Sequence, residues 1–196
     1  MNIAWNIPLF TIVLSLFSGV LCMMLNPKAA RIYTVFFESV LILLVSRVLY
    51  FTWLEGDFTY KMGEFPAPWG NEIRAGVLES VIALTFLVIL LCSVLGGFHF
   101  LSIDIDESKI NLYFSLLNLL TSALMAMTWT NDIFTGYVFL EILTLTSCGI
   151  LIVREIGRTT LAAVRYMILN LLGSGLVLLG AVLLYLMPFV LSPLIG

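Results

Sequence analysis

The chain has 196 residues, 61% of them hydrophobic and only 11% charged, with a net charge of −3. A soluble domain carries about 25% charged residues, so this one has too little polar surface to cover itself in water. Its apolar stretches are too many and too long for a buried core, which excludes a soluble globular domain and implies an integral membrane protein.

Six runs, approximately 7–25, 33–53, 77–101, 113–129, 133–153 and 161–187, are long enough to cross a bilayer as helices. They are continuously apolar, whereas the strands of a membrane barrel alternate in polarity over about ten residues. The expected fold is therefore all-α and polytopic, one membrane domain over 1–196. The N-terminus lacks the basic region of a signal peptide, and the first run is long enough to remain as a span. No internal repeat or soluble domain is visible. Between the second and third runs lies LEGDFTYKMGEFPAPWGNEIRAG, residues 54–76. Gly63, Pro66, Pro68 and Gly70 predict an ordered non-helical loop, and Tyr60 and Trp69 suit a membrane interface. His99, at the end of an apolar run, reads as interfacial rather than catalytic. Cys22, Cys92 and Cys148 are isolated, without C-x-x-C or Cys/His spacing, which argues against a metal site or a disulfide framework.

Orientation follows from the basic residues. Lys28 and Arg31 lie in the first loop, Lys109 in the third, and Arg154 and Arg158 in the fifth, against Lys61 and Arg74 in the second and none in the fourth. Odd loops are expected in the cytoplasm and both termini on the outer side.

Four ionisable residues fall inside the spans, Glu38, Arg47, Glu141 and Arg165, with Glu79 just inside the third. A charge at the bilayer centre costs about 3 kcal/mol on insertion scales, so each needs a partner, water or neutralisation. Arg47 and Arg165 have stems long enough to snorkel. Arg47 and Glu79 both fall in the outer half of the membrane, and an ion pair across that helical hairpin is expected.

Glu141, in TGYVFLEILTLTS, is short and lies about 15 Å from either interface. Its helical face presents Tyr137, Thr144 and Cys148. Ser115, Asn118 and Ser122 form a second polar stripe on the fourth span, and Asn170 and Ser174 another on the sixth. Small polar residues of this kind also serve as helix-packing groups. A central glutamate is expensive in that role, and its chemistry suits a proton relay: neutral and tolerable as the acid, dependent on water and a cation when ionised. Tyr137, Thr144, Asn118, Ser122 and Asn170 are the candidate lining of a hydrated path. Arg165, the deep basic residue that follows, is expected roughly 13–15 Å from Glu141 in depth. A partner from outside the chain, or a water-linked relay, is the more economical source of the cation.

The stretches GEFPAPWGNEIRAG (63–76), LYFSLLNLLTSALMAMTWTNDIFTGYVFLEILTLTSCGIL (112–151) and AAVRYMILNLLGSGLVLLGAVLLY (162–185) resemble the antiporter-like membrane subunits. That family spans Mrp-type cation/proton antiporters, respiratory complex I and membrane-bound hydrogenases, and the resemblance covers nearly the whole chain. It implies that Glu141 is the fifth-helix glutamate of a proton half-channel, and that Arg165 and Tyr166 stand where the family commonly has lysine and an aromatic residue. Gly76 replaces the family's third-helix aspartate, and Glu79, three residues on, takes no family role. Family members have more than twice as many helices, and the essential lysine sits on a seventh, broken one. The chain is thus like their N-terminal half, either a naturally split subunit completed by another polypeptide or a shortened copy.

By that resemblance the expected function is proton translocation, with Na+/H+ exchange as a variant, in a multi-subunit complex of the plasma or inner membrane. The expected partners are other membrane subunits, including one that supplies the lysine-bearing helix, together with H+, Na+ and lipid, and no nucleic acid. The chain itself is expected to hold no cofactor and to catalyse no bond chemistry. The alternative is a structural, transport-inactive subunit that anchors or seals such a complex.

Overall fold

The first two helices both open on proline, which is pre-set for the first helical turn and lacks only an N–H that would find no partner there. Pro8 lies in the first turn of α1 (Ile7–Met24) and Pro27 begins α2 (Pro27–Glu55). A hairpin of two short strands, β1 (Phe58–Lys61) and β2 (Glu72–Ala75), leads into α3 (Val77–Asp104). One 3-10 turn at Glu107–Lys109 precedes α4 (Ile110–Trp129), followed by α5 (Ile133–Ile152) and α6 (Gly157–Ile195). The computed structural model describes residues 6–61 and 72–195. Gly63, Pro66, Pro68, Trp69 and Gly70 lie outside the described residues, as does the side chain of His99.

Among the described residues six helices are long and apolar enough to cross a membrane. Hydropathy marks only the apolar part of each. The polar first turns PKAARI of α2 and GRTT of α6 are helical as well, so α2 starts at Pro27 rather than 33 and α6 at Gly157 rather than 161. At 1.5 Å per residue α6 is about 58 Å long, well beyond the ~30 Å hydrocarbon core.

α4 is the central helix, packed against α1, α2, α3 and α5, while α6 packs on α5. Accordingly 56% of the α4 span is buried and only 11% of the α6 span. Leu41, Val45, Leu87, Met125 and Trp129 fill one end of the bundle. Cys22, Val94, Phe114 and Leu117 fill the other.

α1 and α4 approach closely at Gly19, where a Cβ would stand 2.9 Å from Leu119 Cγ and 3.2 Å from the Ser115 carbonyl oxygen. The missing side chain lets the Ser115 hydroxyl donate to the Gly19 carbonyl at 2.7 Å. Small residues at helix contacts let backbones meet in this way. Asn111 donates to the Leu25 carbonyl and so occupies an acceptor at the end of α1.

The antiparallel hairpin pairs Phe58 with Ala75 and Lys61 with Glu72. Phe58, Ile73 and Ala75 face the core, and Ile73 bridges to Thr130 while the Asn131 N–H donates to the Glu72 carbonyl at 2.8 Å. It therefore ties the α2–α3 connection to the α4–α5 turn. On the opposite side Lys109 pairs with Glu155, Arg154 with Asp104 at 2.9 Å, and the Arg31 guanidinium lies 5.0 Å over the Phe98 ring.

Candidate functional site

α6 turns one narrow stripe toward α5. Ala163, Met167, Asn170, Ser174, Leu178, Ala181 and Tyr185 are buried or half-buried at helical spacing, and the residues between them are mostly exposed. Two contacts fix the register of this antiparallel pair. The Cys148 thiol lies 3.8 Å from the Ala163 carbonyl oxygen, and Tyr137 lies within electrostatic reach of both Glu141 and Ser174. One register satisfies both, and it sets Asn170 level with Glu141.

Glu141 thus sits in the α5/α6 seam with Tyr137 a turn away and Asn170 opposite. It is half-buried, and its Oε1 is shielded with no hydrogen-bond partner. The Thr144 hydroxyl is occupied at 2.9 Å by the Glu141 main-chain carbonyl, not by the carboxylate. Among the described residues no lysine or arginine forms an ion pair with Glu141.

Arg165 is exposed on the α6 face turned away from α5. In the observed register it lies five residues from the level of Glu141, about 7.5 Å at 1.5 Å per residue. That gap is half the one expected from sequence, because α6 starts at Gly157 and carries Arg165 deeper. Facing, more than depth, keeps the two apart.

The polar stripe of α4 does not reach Glu141. Ser122 donates to the Ile12 carbonyl at 2.9 Å and Asn118 joins α1 to α2, so both lie on the far side of α4 from the α5/α6 seam. α5 packs instead on the Leu116 face of α4, where a Cβ on Gly149 would stand 3.0 Å from Leu116 Cδ1.

The expected Arg47–Glu79 pair is not formed. Glu79 is 3.7 Å from Arg74, which also holds Asp57 at 3.2 Å, while Arg47 is exposed on α2. The hairpin is the cause, since β2 delivers Arg74 to the start of α3. Gly76 makes room for this group: a Cβ there would stand 2.5 Å from Glu79 Oε2 and 2.8 Å from Asp57 Oδ1.

Sequence reasoning counted Glu38 among the charges but gave it no role. It is fully buried, with the Thr121 hydroxyl 2.6 Å from Oε1 and with Oε2 unpartnered. Around it, Asn118 accepts from Ser18 at 3.0 Å and donates to Thr34 at 3.1 Å. A signal existed in Thr34 and Glu38 one turn apart on α2, matched by Asn118 and Thr121 on α4.

Asp132 anchors one end of the seam as the N-cap of α5. Its Oδ2 accepts from the Thr135 N–H at 2.9 Å and hydroxyl at 2.8 Å, and its Oδ1 accepts from Tyr185 at 3.2 Å. The Tyr185 ring stacks on Phe134 with centroids 4.9 Å apart. Burial alone would raise the carboxyl, but these hydrogen bonds and one from the Phe134 backbone outweigh it and hold it below the ordinary 3.8. A carboxyl depressed by folding stabilises above its unfolded value and loses that contribution as pH falls through the folded one. Docking of the C-terminal half of α6 on α5, through Tyr185, is therefore expected to loosen on acidification below about pH 4. Hydrogen exchange of α6 amides checks this, and Asp132→Asn should remove the pH dependence.

The fold and its six apolar spans define a class, a multi-pass α-helical membrane protein. No family model matches the chain. It is 24% identical over 182 residues to a Na(+)/H(+) antiporter component of Bacillus subtilis (strain 168), covering 92% of this chain and 36% of that protein. It is 31% identical over 131 residues to the mnhD2 protein of Staphylococcus haemolyticus (strain JCSC1435), covering 65% of this chain and 25% of that one. Among solved structures, one chain of the membrane-bound sulfane sulfur reductase, an archaeal respiratory membrane complex, superposes with a TM-score of 0.80. That match has 22% identity and covers 89% of this chain and 36% of the other. The chain is thus similar over most of its length to the antiporter-like membrane subunits, and it spans a quarter to about a third of the length of these relatives.

Proposed function

We propose that the chain is the ion-translocating part of a multi-subunit membrane complex, moving protons, with Na+/H+ exchange as a variant, through the carboxyl group of Glu141. One observation carries this reading: a central carboxylate in the α5/α6 seam with a shielded, unpartnered oxygen and no cation among the described residues. As the neutral acid such a group is tolerated in the membrane; ionised, it needs positive charge from beyond these six helices. Tyr137 and Asn170 would line its hydrated approach. The relatives support the reading, since one is part of a Na+/H+ antiporter and the structural match belongs to a respiratory membrane complex.

The cation and the cover come from partner subunits. α6 leaves Leu169, Leu172 and Leu176 at 65–72% exposure, beside the outward-turned Arg165. A neighbouring chain that carries a lysine on a broken helix covers this exposed face, meets Arg165 there and brings its lysine to the edge of the α5/α6 seam. Loops one, three and five face the cytoplasm in this arrangement.

A hydrophobic carbodiimide tests the site, because it attacks protonated carboxyl groups from the lipid phase. Adducts mapped by mass spectrometry on the assembled complex are expected at half-buried Glu141, with proton flux falling in proportion to labelling. Undiminished flux after complete modification of Glu141 would instead favour a purely structural subunit.

A further inference from the structure

Glu38 is absent from the path through Glu141, yet it is the more completely enclosed acid. It faces α4 from the middle of α2 with no exposed surface. Thr121 carries one hydroxyl hydrogen and has two oxygens within reach, Glu38 Oε1 at 2.6 Å and the Leu117 carbonyl at 3.0 Å. If Glu38 is ionised, that hydrogen must go to the carboxylate, and Oε2 keeps its share of the charge with no donor and no cation. If Glu38 is neutral, its own O–H donates to Thr121, and Thr121 passes its hydrogen on to Leu117. Every donor then has an acceptor, and the unpartnered oxygen is a weakly charged acid carbonyl. Hydrogen positions follow from the network in this way, and a carboxyl group can donate only when protonated.

The surroundings offer the charged form nothing further. From α1 the titratable group turned into the cluster is the Cys22 thiol, 3.6 Å from the Thr34 hydroxyl and 3.4 Å from Asn118 Nδ2. On α3, Glu79 is engaged by Arg74 and Asp104 by Arg154. Beside and on α4, Lys109 pairs with Glu155 and Tyr113 packs edge-on against Phe114. On α2 itself Arg31 covers Phe98 and Arg47 is exposed.

We propose that Glu38 is a second proton-holding site, a neutral carboxylic acid hydrogen-bonded to Thr121 in the α1/α2/α4 core and separate from Glu141. The proton rests on Oε1, the oxygen within reach of Thr121, and Oε2 is the carbonyl oxygen of the acid. The site stores a proton rather than passing it along, since the hydrogen-bond chain ends at the Leu117 carbonyl. None of this depends on the role given to Glu141.

Infrared spectroscopy of the lipid-reconstituted protein tests it, recorded in a Glu141→Gln background so that the other membrane carboxyl is silent. The C=O stretch of an unionised carboxylic acid is expected at neutral pH. It should vanish in Glu38→Gln and shift in Thr121→Val, which removes the acceptor, and added sodium should leave it unchanged. Glu38→Gln should keep the melting temperature, because a glutamine N–H can donate to Thr121 in place of the acid. If that variant fails to assemble, the Thr121→Val shift still reports on Glu38. Absence of the band at neutral pH, its survival in Glu38→Gln, its persistence without shift in Thr121→Val, or its loss on adding sodium would each overturn the proposal.

Discussion

Replacing Asn118 by leucine is expected to lower the stability of the helix bundle by about 2 kcal/mol. Leucine matches asparagine in size, so little of the loss comes from packing. The cost comes from the groups left behind. Ser18 on α1 loses its acceptor, Thr34 on α2 loses its donor, and the Phe114 carbonyl loses a second bond at 2.8 Å. All of these side chains are fully buried, and an unpaired polar group in such a place costs about 1–3 kcal/mol. The figure stays near the low end because serine and threonine in helices can turn back on their own carbonyls, as Ser15 and Ser39 already do at 2.6 and 2.7 Å. Interhelical hydrogen bonds in membranes also average only about 0.6 kcal/mol, because the unfolded chain finds other partners. Asn118→Asp should also destabilise, since even a protonated carboxyl group has one hydrogen where Asn118 Nδ2 serves both the Thr34 oxygen and the Phe114 carbonyl. Thermal unfolding in detergent measures both variants. A leucine variant as stable as the parent would mean that Asn118 does not hold α1, α2 and α4 together.

Much of this architecture was legible in the sequence, because a bilayer imposes a length and a composition on each helix. Periodicity along α5 and α6 also placed Tyr137, Glu141 and Cys148 on one face and Asn170 and Ser174 on another, and the structure brings those faces together. What periodicity cannot supply is which neighbour a stripe meets. Asn118 and Ser122 share a face of α4, but that face turns to α1 and α2, because the close contact at Gly19 draws α1 onto it. Glu38 went without a role for the same reason: its partner Thr121 is distant in sequence and is found only once α2 and α4 are packed. The hairpin was missed because its strands are four residues each, too short for alternation to stand out, and with it went the true partner of Glu79. Hydropathy also hid the first turn of α6, whose polar residues carry the helix out of the apolar zone.

The Glu141 carboxyl is the element on which the functional reading rests, and glutamine is its closest uncharged mimic. Glu141→Gln keeps the shape of the side chain and breaks no ion pair among the described residues of this chain, and a neutral amide can still accept a hydrogen bond from a partner's lysine. Assembly should therefore be unaffected. What disappears is the ability to take up and release a proton at the centre of the span. Removing an essential proton-transfer group typically costs about 10²–10⁴-fold in rate, enough to bring transport to background. The decisive measurement is proton flux across vesicles containing the assembled complex, parent against Glu141→Gln, with equal incorporation verified by co-purification of the partner chains. Background flux from a fully assembled variant is the expected result; parental flux from that same assembled variant would contradict a proton site at Glu141.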